Sequence, residues 1–309
     1  MAYQTAALIQ IGTLEEHRDV LDEIKVSSNS RFLASVDYAN QVIVWDVETQ
    51  EIKFQIDQMV EGAYATGFSA NSRTFATIEQ EENRQLLVLR NLFTGEIIQS
   101  LSLGFDNRLP STIEFDPRES IVAVSGEQVF LFWAYDEEVE YSFSAPLGSP
   151  PLDLAFSPDG NLVAGGSCSR NDCLENGKIV IWEHETGFIK HEIVAHDSPV
   201  SRVRFSPNGR YLATSSSDQF VNVWDVETGE LLIAIDGRQP IFDMVFTPDS
   251  LGVWTVGAEL NLFEIETGVP VFTAQFSGST IGILSEGTQL AVGDSQGAIS
   301  LFLINLEAE

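Results

Sequence analysis

Residues 195–229 read AHDSPVSRVRFSPNGRYLATSSSDQFVNVWDVETG, and this stretch decides the fold. Three runs of β-branched and aromatic residues, centred on Val203, Leu212 and Val223, are typical of pleated, largely buried strands. The Ser-Pro-Asn-Gly and Glu-Thr-Gly segments between and after them predict tight turns. The apolar run 231–235 then supplies a fourth strand. The stretch therefore predicts a meander of four antiparallel strands.

The same unit recurs along the chain. Phe205 of the first strand has six counterparts, which are Val26, Phe68, Phe115, Phe156, Phe246 and Ile283. Trp224 of the third strand also has six counterparts, which are Trp45, Arg90, Trp133, Trp182, Phe263 and Phe302. Successive members of this second series are 39 to 49 residues apart, and a period of about 40–45 residues is typical of a propeller blade. Seven positions predict seven blades.

On these motifs the chain resembles the WD40 repeat family over nearly its whole length. The resemblance implies an all-β, seven-bladed WD40-type β-propeller, with residues 1–309 forming a single domain. It also implies a buried hydrogen-bonded tetrad in two blades. The tetrad positions are His196, Thr214, Asp218 and Trp224 in blade five, and His17, Ser35 and Trp45 in blade one. Asp37 lies two positions earlier than the alignment with Asp218 requires, so its membership is left open.

Three blades depart from the tryptophan of the third strand. Blade two carries Arg90 there, and blades six and seven carry Phe263 and Phe302. We expect these blades to depend on packing instead of a tetrad.

The end of the repeat series predicts how the ring closes. After the seventh third strand, Ile299–Leu303, the tail is too short for another full strand and turn. The apolar stretch Thr5–Leu14 is therefore predicted to complete the last blade, which removes sheet edges that would invite aggregation.

The charge balance limits the classes of partner. The chain has 46 acidic and 16 basic residues and a formal net charge of −30, which repels nucleic-acid phosphates and anionic lipid headgroups. We therefore expect neither nucleic acid nor membrane as a partner. The acidity either keeps the protein soluble or marks a site for a basic partner.

The ends and the cysteines predict a cytoplasmic protein, and we expect it to be monomeric on its own. No secretory amino terminus and no run of about 18 apolar residues is present. The two cysteines, Cys168 and Cys173, are too few for a disulfide framework or a zinc site. Whether they pair with each other is left open.

No residue set in the sequence supports catalysis, so we expect no catalytic, cofactor-binding or metal-binding residues. His17 and His196 fall on tetrad positions, while His184 and His191 flank a turn and are expected to be solvated. The glutamates recur at equivalent turns, which indicates turn chemistry instead of paired acid/base groups. Neither a nucleophile elbow nor a phosphate-binding loop is present.

In WD40 blades, the loops from a fourth strand to the next first strand and from a second to a third strand lie on one face, called the top face. Partners of such proteins commonly dock there. Two insertions fall in its second-to-third loops, Ser167–Lys178 and Glu79–Gln85; whether the first is functional or a tolerated decoration is left open. The predicted partner-binding residues of the top rim are Arg18, Tyr38, Asn107, Arg170, Asp172, Asp197, Arg238 and Gln275.

The sequence thus predicts a non-enzymatic scaffold that binds protein partners or peptide segments on its top face. One alternative is an enzyme or small-molecule sensor that uses the central channel, which four or more converging polar side chains would favour. Another is a reader of basic peptide tails, which the net charge of −30 would favour.

Overall fold

The computed structural model describes residues 3–57, 59–60, 65–104, 110–118, 120–125, 129–144, 151–168 and 176–308. These residues form seven four-stranded antiparallel sheets. The helical content of the described ranges is a single 3-10 turn, Ser285–Gly287. The predicted all-β propeller of seven blades is confirmed.

The strands of blades one to three follow one another in chain order. Blade one contains β2 (Leu21–Val26), β3 (Phe32–Asp37), β4 (Val42–Asp46) and β5 (Glu51–Ile56). Blade two contains β6 (Thr66–Phe68), β7 (Thr74–Glu81), β8 (Arg84–Asn91) and β9 (Ile97–Leu103). Blade three contains β10 (Ile113–Phe115), β11 (Ile121–Ser125), β12 (Val129–Ala134) and β13 (Val139–Ser144).

Blades four to seven continue this order until the last strand. Blade four contains β14 (Asp153–Phe156), β15 (Leu162–Cys168), β16 (Gly177–Glu183) and β17 (Ile189–His196). Blade five contains β18 (Val200–Phe205), β19 (Tyr211–Ser216), β20 (Phe220–Asp225) and β21 (Leu231–Asp236). Blade six contains β22 (Ile241–Phe246), β23 (Gly252–Gly257), β24 (Leu260–Glu264) and β25 (Pro270–Ala274). Blade seven contains β26 (Thr280–Leu284), β27 (Gln289–Gly293), β28 (Ala298–Ala308) and β1 (Tyr3–Glu15).

Strand register repeats from blade to blade. In blade five, Phe205 of the first strand lies opposite Leu212, which lies opposite Trp224 of the third. In the most divergent blade, blade seven, Ile283 lies opposite Leu290, which lies opposite Phe302. Positions aligned from the sequence are therefore equivalent in space.

The turn between the first and second strands is held by its own side chains. In blade five, Ser206 Oγ donates to Asn208 Oδ1 (2.7 Å) and accepts a hydrogen bond from Tyr211 N (2.9 Å). Gly209 adopts a φ of +71°, a conformation that glycine reaches without steric cost. The Ser-Pro-Asn-Gly segment therefore forms the tight turn that its composition predicts.

The amino-terminal strand closes the ring. β1 runs antiparallel to β28 from Tyr3 opposite Ala308 to Glu15 opposite Ala298, and it is the outermost strand of blade seven. Both strands are longer than the sequence pattern predicted. Their pairing continues past Leu303, the β28 residue that lies opposite Gln289, the first residue of β27.

The hydrophobic core is divided among the junctions between blades. The described residues form seven buried clusters, each shared by two adjacent blades. Each third-strand aromatic residue lies in the cluster shared with the preceding blade, as Trp224 does with Ala164 of blade four. Burial at these junctions provides the main stabilisation of the ring.

Candidate functional site

In blade five, four residues form a continuous buried hydrogen-bond network. His196 Nδ1 lies 2.9 Å from Asp218 Oδ2, and its Nε2 lies 2.8 Å from Thr214 Oγ1. Trp224 Nε1 donates to the same hydroxyl over 3.0 Å. The four side chains satisfy one another in the interior, so they are not free to act on a substrate.

Blade one contains the same network with one change. His17 Nε2 lies 2.6 Å from Ser35 Oγ, which also accepts a hydrogen bond from Trp45 Nε1 over 2.8 Å. Asp37 Oδ2 lies 3.0 Å from His17 Nδ1. Asp37 therefore completes the tetrad even though it lies two positions earlier than Asp218 does in its blade.

Both tetrad histidines have pKa values below the ordinary one. Burial lowers the pKa of His17 and outweighs the opposing effect of Asp37. Burial likewise lowers the pKa of His196 and outweighs Asp218. A neutral imidazole that donates from Nδ1 and accepts at Nε2 matches the partners of each ring.

Blade two replaces the tetrad with a buried ion pair. Arg90 Nη2 lies 2.8 Å from Glu79 Oε2, and Thr77 Oγ1 donates to Glu79 Oε1 over 2.6 Å. Arg90 Nη1 also donates to the carbonyl oxygen of Gly95. Our expectation that this blade depends on packing alone is therefore wrong. Blade seven does use packing at this place, since Phe302 meets Phe276 edge to face at 5.3 Å.

His184 is buried instead of solvated, which corrects the expectation from the sequence. Its Nδ1 lies 3.2 Å from Asp116 Oδ2, and its Nε2 lies 2.8 Å from the hydroxyl of Tyr141. Asp116 and His184 both differ from the equivalent residues of blade five, and they contact each other across the junction of blades three and four. Asp116 stands where blade five has Ser206, and His184 stands where blade five has the buried Val226.

Five of the eight predicted rim residues lie in the described ranges, and all five are exposed on top-face loops. Arg18, Asp197, Arg238 and Gln275 connect a fourth strand to the next first strand, and Tyr38 follows the second strand of blade one. Asn107, Arg170 and Asp172 lie outside the described residues, as does Cys173.

The top-face insertions differ in what can be described. Most of Ser167–Lys178 lies outside the described ranges. The other insertion, Glu79–Gln85, is not a loop, because β7 and β8 continue in register to the pair Glu81 and Arg84. Blade two therefore extends its hairpin upward as paired strand.

The central channel is lined by charged side chains that the sequence analysis missed. They alternate with apolar residues along the innermost strand of five blades: Glu23, Lys25, Glu114, Asp153, Arg202, Arg204 and Asp243. The sequence signal that could have revealed them is the alternation of charged and apolar residues along these strands. Arg202 and Arg204 flank the buried Val203, so their side chains must point to the other face of the strand. The innermost strand is also a sheet edge, whose free amides need acceptors.

Carboxylates in the channel supply those acceptors across the blade junctions. Three of them each accept a hydrogen bond from a backbone amide of the next blade. The pairs are Glu23 with Thr66 N (2.9 Å), Asp153 with Val203 N (2.9 Å) and Asp243 with Ile281 N (3.1 Å). The channel charges thus connect neighbouring blades.

The channel cations differ in how closely they pair. Arg204 Nη1 lies 2.5 Å from Asp153, and its Nη2 lies 3.6 Å from Asp243. Lys25 Nζ contacts Glu114 and lies 3.7 Å from Glu23. More than four polar side chains therefore converge on the channel, but they are partners of one another.

Burial and these neighbours shift the channel pKa values in opposite directions. Burial raises the pKa of Glu23 to about 7, against the effect of Lys25 and of the hydrogen bonds from Thr66. For Asp153, burial also acts to raise the pKa, but Arg204 and Arg202 outweigh it and the pKa is lowered. Glu23 is thus the channel carboxylate that changes charge near neutral pH.

Comparisons with known proteins agree with this geometry. The family model described as WD domain, G-beta repeat, matches residues 138–183 and 187–225. These matches cover the fourth strand of blade three, all four strands of blade four and the first three strands of blade five, including the blade-five tetrad. The chain contains WD40 repeats and forms a seven-bladed β-propeller.

Other proteins resemble this WD40 propeller over different lengths. WD repeat-containing protein SL1-17 of Schistosoma mansoni is 25% identical over 71% of this chain and 55% of its own length. The Retinoblastoma-binding protein 5 homolog of Drosophila melanogaster is 36% identical over 37% of this chain and 22% of its own length. The WD40 propeller thus spans about half or less of these relatives.

A solved structure shows the same fold. The β-propeller domain of Myceliophteria thermophila Cps50 (Swd1) superposes with a TM-score of 0.81, covering 97% of this chain and 100% of that one at 15% identity. WD40 propellers are in general protein-interaction scaffolds without enzymatic activity.

The described part of the propeller contains no group of three or more histidine, cysteine, aspartate or glutamate side chains placed to hold a metal ion. It likewise contains no helix long and apolar enough to span a membrane.

Proposed function

We propose that this WD40 propeller is a scaffold that docks protein partners on its top face without chemical turnover, in the cytoplasm and as a monomer. The observation that carries the proposal is the set of exposed rim residues Arg18, Tyr38, Asp197, Arg238 and Gln275 on the loops of one face. Arginine and tyrosine are frequent anchors of protein interfaces, and short loops on paired strands present them in fixed positions.

The ordered loop geometry supports a preformed surface. Tyr38 N donates to the carbonyl oxygen of Val20 (3.1 Å), and Asp197 N donates to Asp218 Oδ2 (3.2 Å). Arg238 N donates to Asp236 Oδ1 over 2.8 Å. Because the backbone at these positions is already held, docking requires little ordering of the loops.

The alternative of a channel enzyme or sensor has less support. The charged groups of the channel pair with one another, so a ligand would have to break existing ion pairs to reach them.

The test is quantitative capture of partners from native lysate with three forms of the protein. We expect Arg18→Ser/Arg238→Ser to lose partners that the wild type retains, at an unchanged unfolding midpoint. The control Arg31→Ser/Arg73→Ser removes two arginines from turns on the opposite face. This control should retain the partners that the wild type captures. Equal capture by wild type and the rim variant contradicts the proposal.

A further inference from the structure

A groove opens on the outer side of the propeller, at the face opposite the top face, between blades five and six. Its volume is about 410 Å³, and its apolar surface comes from Tyr211, Leu232, Leu251 and Ile265. Leu232 lies on the outermost strand of blade five, and Leu251 lies in the turn between the first two strands of blade six. The groove is therefore formed where two rigid blades meet.

The two leucines at the groove are half exposed. Leu232 is 47% and Leu251 is 45% accessible, and the neighbouring Leu231 is 48% accessible. A single exposed leucine is ordinary on a protein surface, whereas several at one concavity mark a place where apolar side chains can be buried. The apolar part of a ligand would thus contact Leu232 and Leu251.

The charge around the groove is almost entirely negative. The turns of blades four to six on this face, together with the strand ends that flank them, contain nine acidic residues, Arg210 and Lys190, which pairs with Glu227. The acidic residues are Asp159, Glu183, Glu185, Asp225, Glu227, Glu230, Asp249, Glu264 and Glu266. Much of the net charge of this region therefore faces the same side as the groove.

The one arginine of these turns, Arg210, is already engaged. Its guanidinium lies 5.2 Å from the centre of the Tyr211 ring, and its Nε lies 3.7 Å from Asp225 Oδ2. Within the described ranges, no lysine or arginine forms an ion pair with Glu264 or Glu266, which line the groove. These two carboxylates are the groove's uncompensated charges.

We propose that this groove binds an extended protein segment in which an apolar side chain is flanked by lysines or arginines. The apolar side chain lies between Leu232 and Leu251, and the basic side chains face Glu264 and Glu266. Charge complementarity selects this occupant, because a segment with acidic flanks would meet repulsion from the surrounding turns. The site is on the opposite face from the rim and does not depend on the proposed top-face function.

The probe for the test is a labelled synthetic peptide of about twelve residues, in which one leucine is flanked by lysines and the remaining positions are serines. We expect fluorescence anisotropy to show binding to the full chain that weakens as salt is raised. A peptide with glutamates in place of the lysines should not bind. Absence of binding by the lysine peptide, or equal binding of the glutamate peptide, overturns the proposal.

Three variants locate the binding. Leu232→Ser/Leu251→Ser should weaken the affinity by about tenfold, because both leucines lose the apolar area that the peptide would cover. The matched control Ile97→Ser/Ile98→Ser changes two outer-strand residues of blade two that are 57% and 55% accessible, and it should bind as the wild type does. Glu264→Gln/Glu266→Gln should reduce the salt dependence.

Two outcomes would overturn the location. One is an affinity of the leucine variant within about twofold of wild type, and the other is an equal loss in the blade-two control. The rim variant Arg18→Ser/Arg238→Ser should bind the peptide normally. A failure of partner capture by the top face and a failure of peptide binding at this groove are therefore separate results.

Discussion

Replacing Glu23 by glutamine should change how the stability of the propeller depends on pH. The Glu23 side chain is 17% accessible, and burial raises its pKa from the ordinary 4.5 to about 7. Since the folded state binds the proton more tightly than the unfolded state does, folding is favoured at low pH. The contribution is lost as pH rises from 4.5 to about 7, and it is constant above that.

The magnitude follows from the size of the shift. Each pKa unit corresponds to about 1.4 kcal/mol, so ionised Glu23 costs on the order of 3 kcal/mol at high pH. Between pH 6 and pH 8 the wild type should lose about 1.4 kcal/mol of its free energy of unfolding through this group. Glutamine retains an oxygen that accepts from Thr66 but carries no charge, so Glu23→Gln should lack this loss.

The assay is urea unfolding of both proteins at pH 6 and pH 8. Comparing the two proteins cancels other titrating groups, including His17 and His196, whose lowered pKa values act in the opposite direction on acidification. The control Asp153→Asn alters an equivalent inter-blade acceptor whose pKa is lowered. It should destabilise the protein at both pH values alike.

The reasoning is refuted if the difference between wild type and Glu23→Gln is the same at pH 6 and pH 8. Direct titration of the Glu23 carboxyl carbon by NMR provides a second measurement. A midpoint near the ordinary glutamate value would refute it equally.

Three further predictions concern the buried networks and the rim. His184→Ala should lower the free energy of unfolding by about 2–4 kcal/mol, because it leaves the Asp116 carboxylate buried without its imidazole; Asp116→Ser/His184→Val should recover most of this loss in urea melts. Arg90→Ala should lower the free energy of unfolding by about 3–5 kcal/mol, because it leaves the Glu79 carboxylate buried without its ion-pair partner. Glu79→Gln/Arg90→Met should lower it less, and an equal loss in the two variants would contradict a buried ion pair. His196→Ala and Trp224→Phe should lower the unfolding midpoint while the remaining folded protein captures partners normally; reduced capture per folded molecule would contradict a purely structural tetrad.

The regular part of the fold could be predicted from the sequence because it is local and repeated. The turn at Ser206–Gly209 and the strand positions of Phe205 and Trp224 depend on nearby residues, and their recurrence fixes the register of each blade. Ring closure could also be predicted from the sequence. The last third strand has no fourth strand after it, and the apolar stretch at the amino terminus can supply that strand.

The departures could not be predicted, because each involves partners that lie apart in the sequence. Asp116 and His184 belong to different blades, so neither position alone indicates that the other will be beside it. The contact between Lys25 and Glu114 spans two blade junctions. Glu79 and Arg90 lie in one hairpin, but the sequence alignment placed Glu79 in an inserted loop and only Arg90 on a strand.

The assignment of a top face and an opposite face depends on a closed ring, in which β1, the first strand of the chain, pairs with β28 to complete blade seven. Ile9 and Leu303 are directly opposite each other on β1 and β28, and both are accessible. In a background with Cys168→Ser and Cys173→Ser, Ile9→Cys/Leu303→Cys should oxidise to one disulfide within the chain, because cross-strand partners lie within bonding reach. Peptide mapping of the monomer should recover the two strands joined. Disulfides only between chains, or none, would contradict the closed seven-bladed ring.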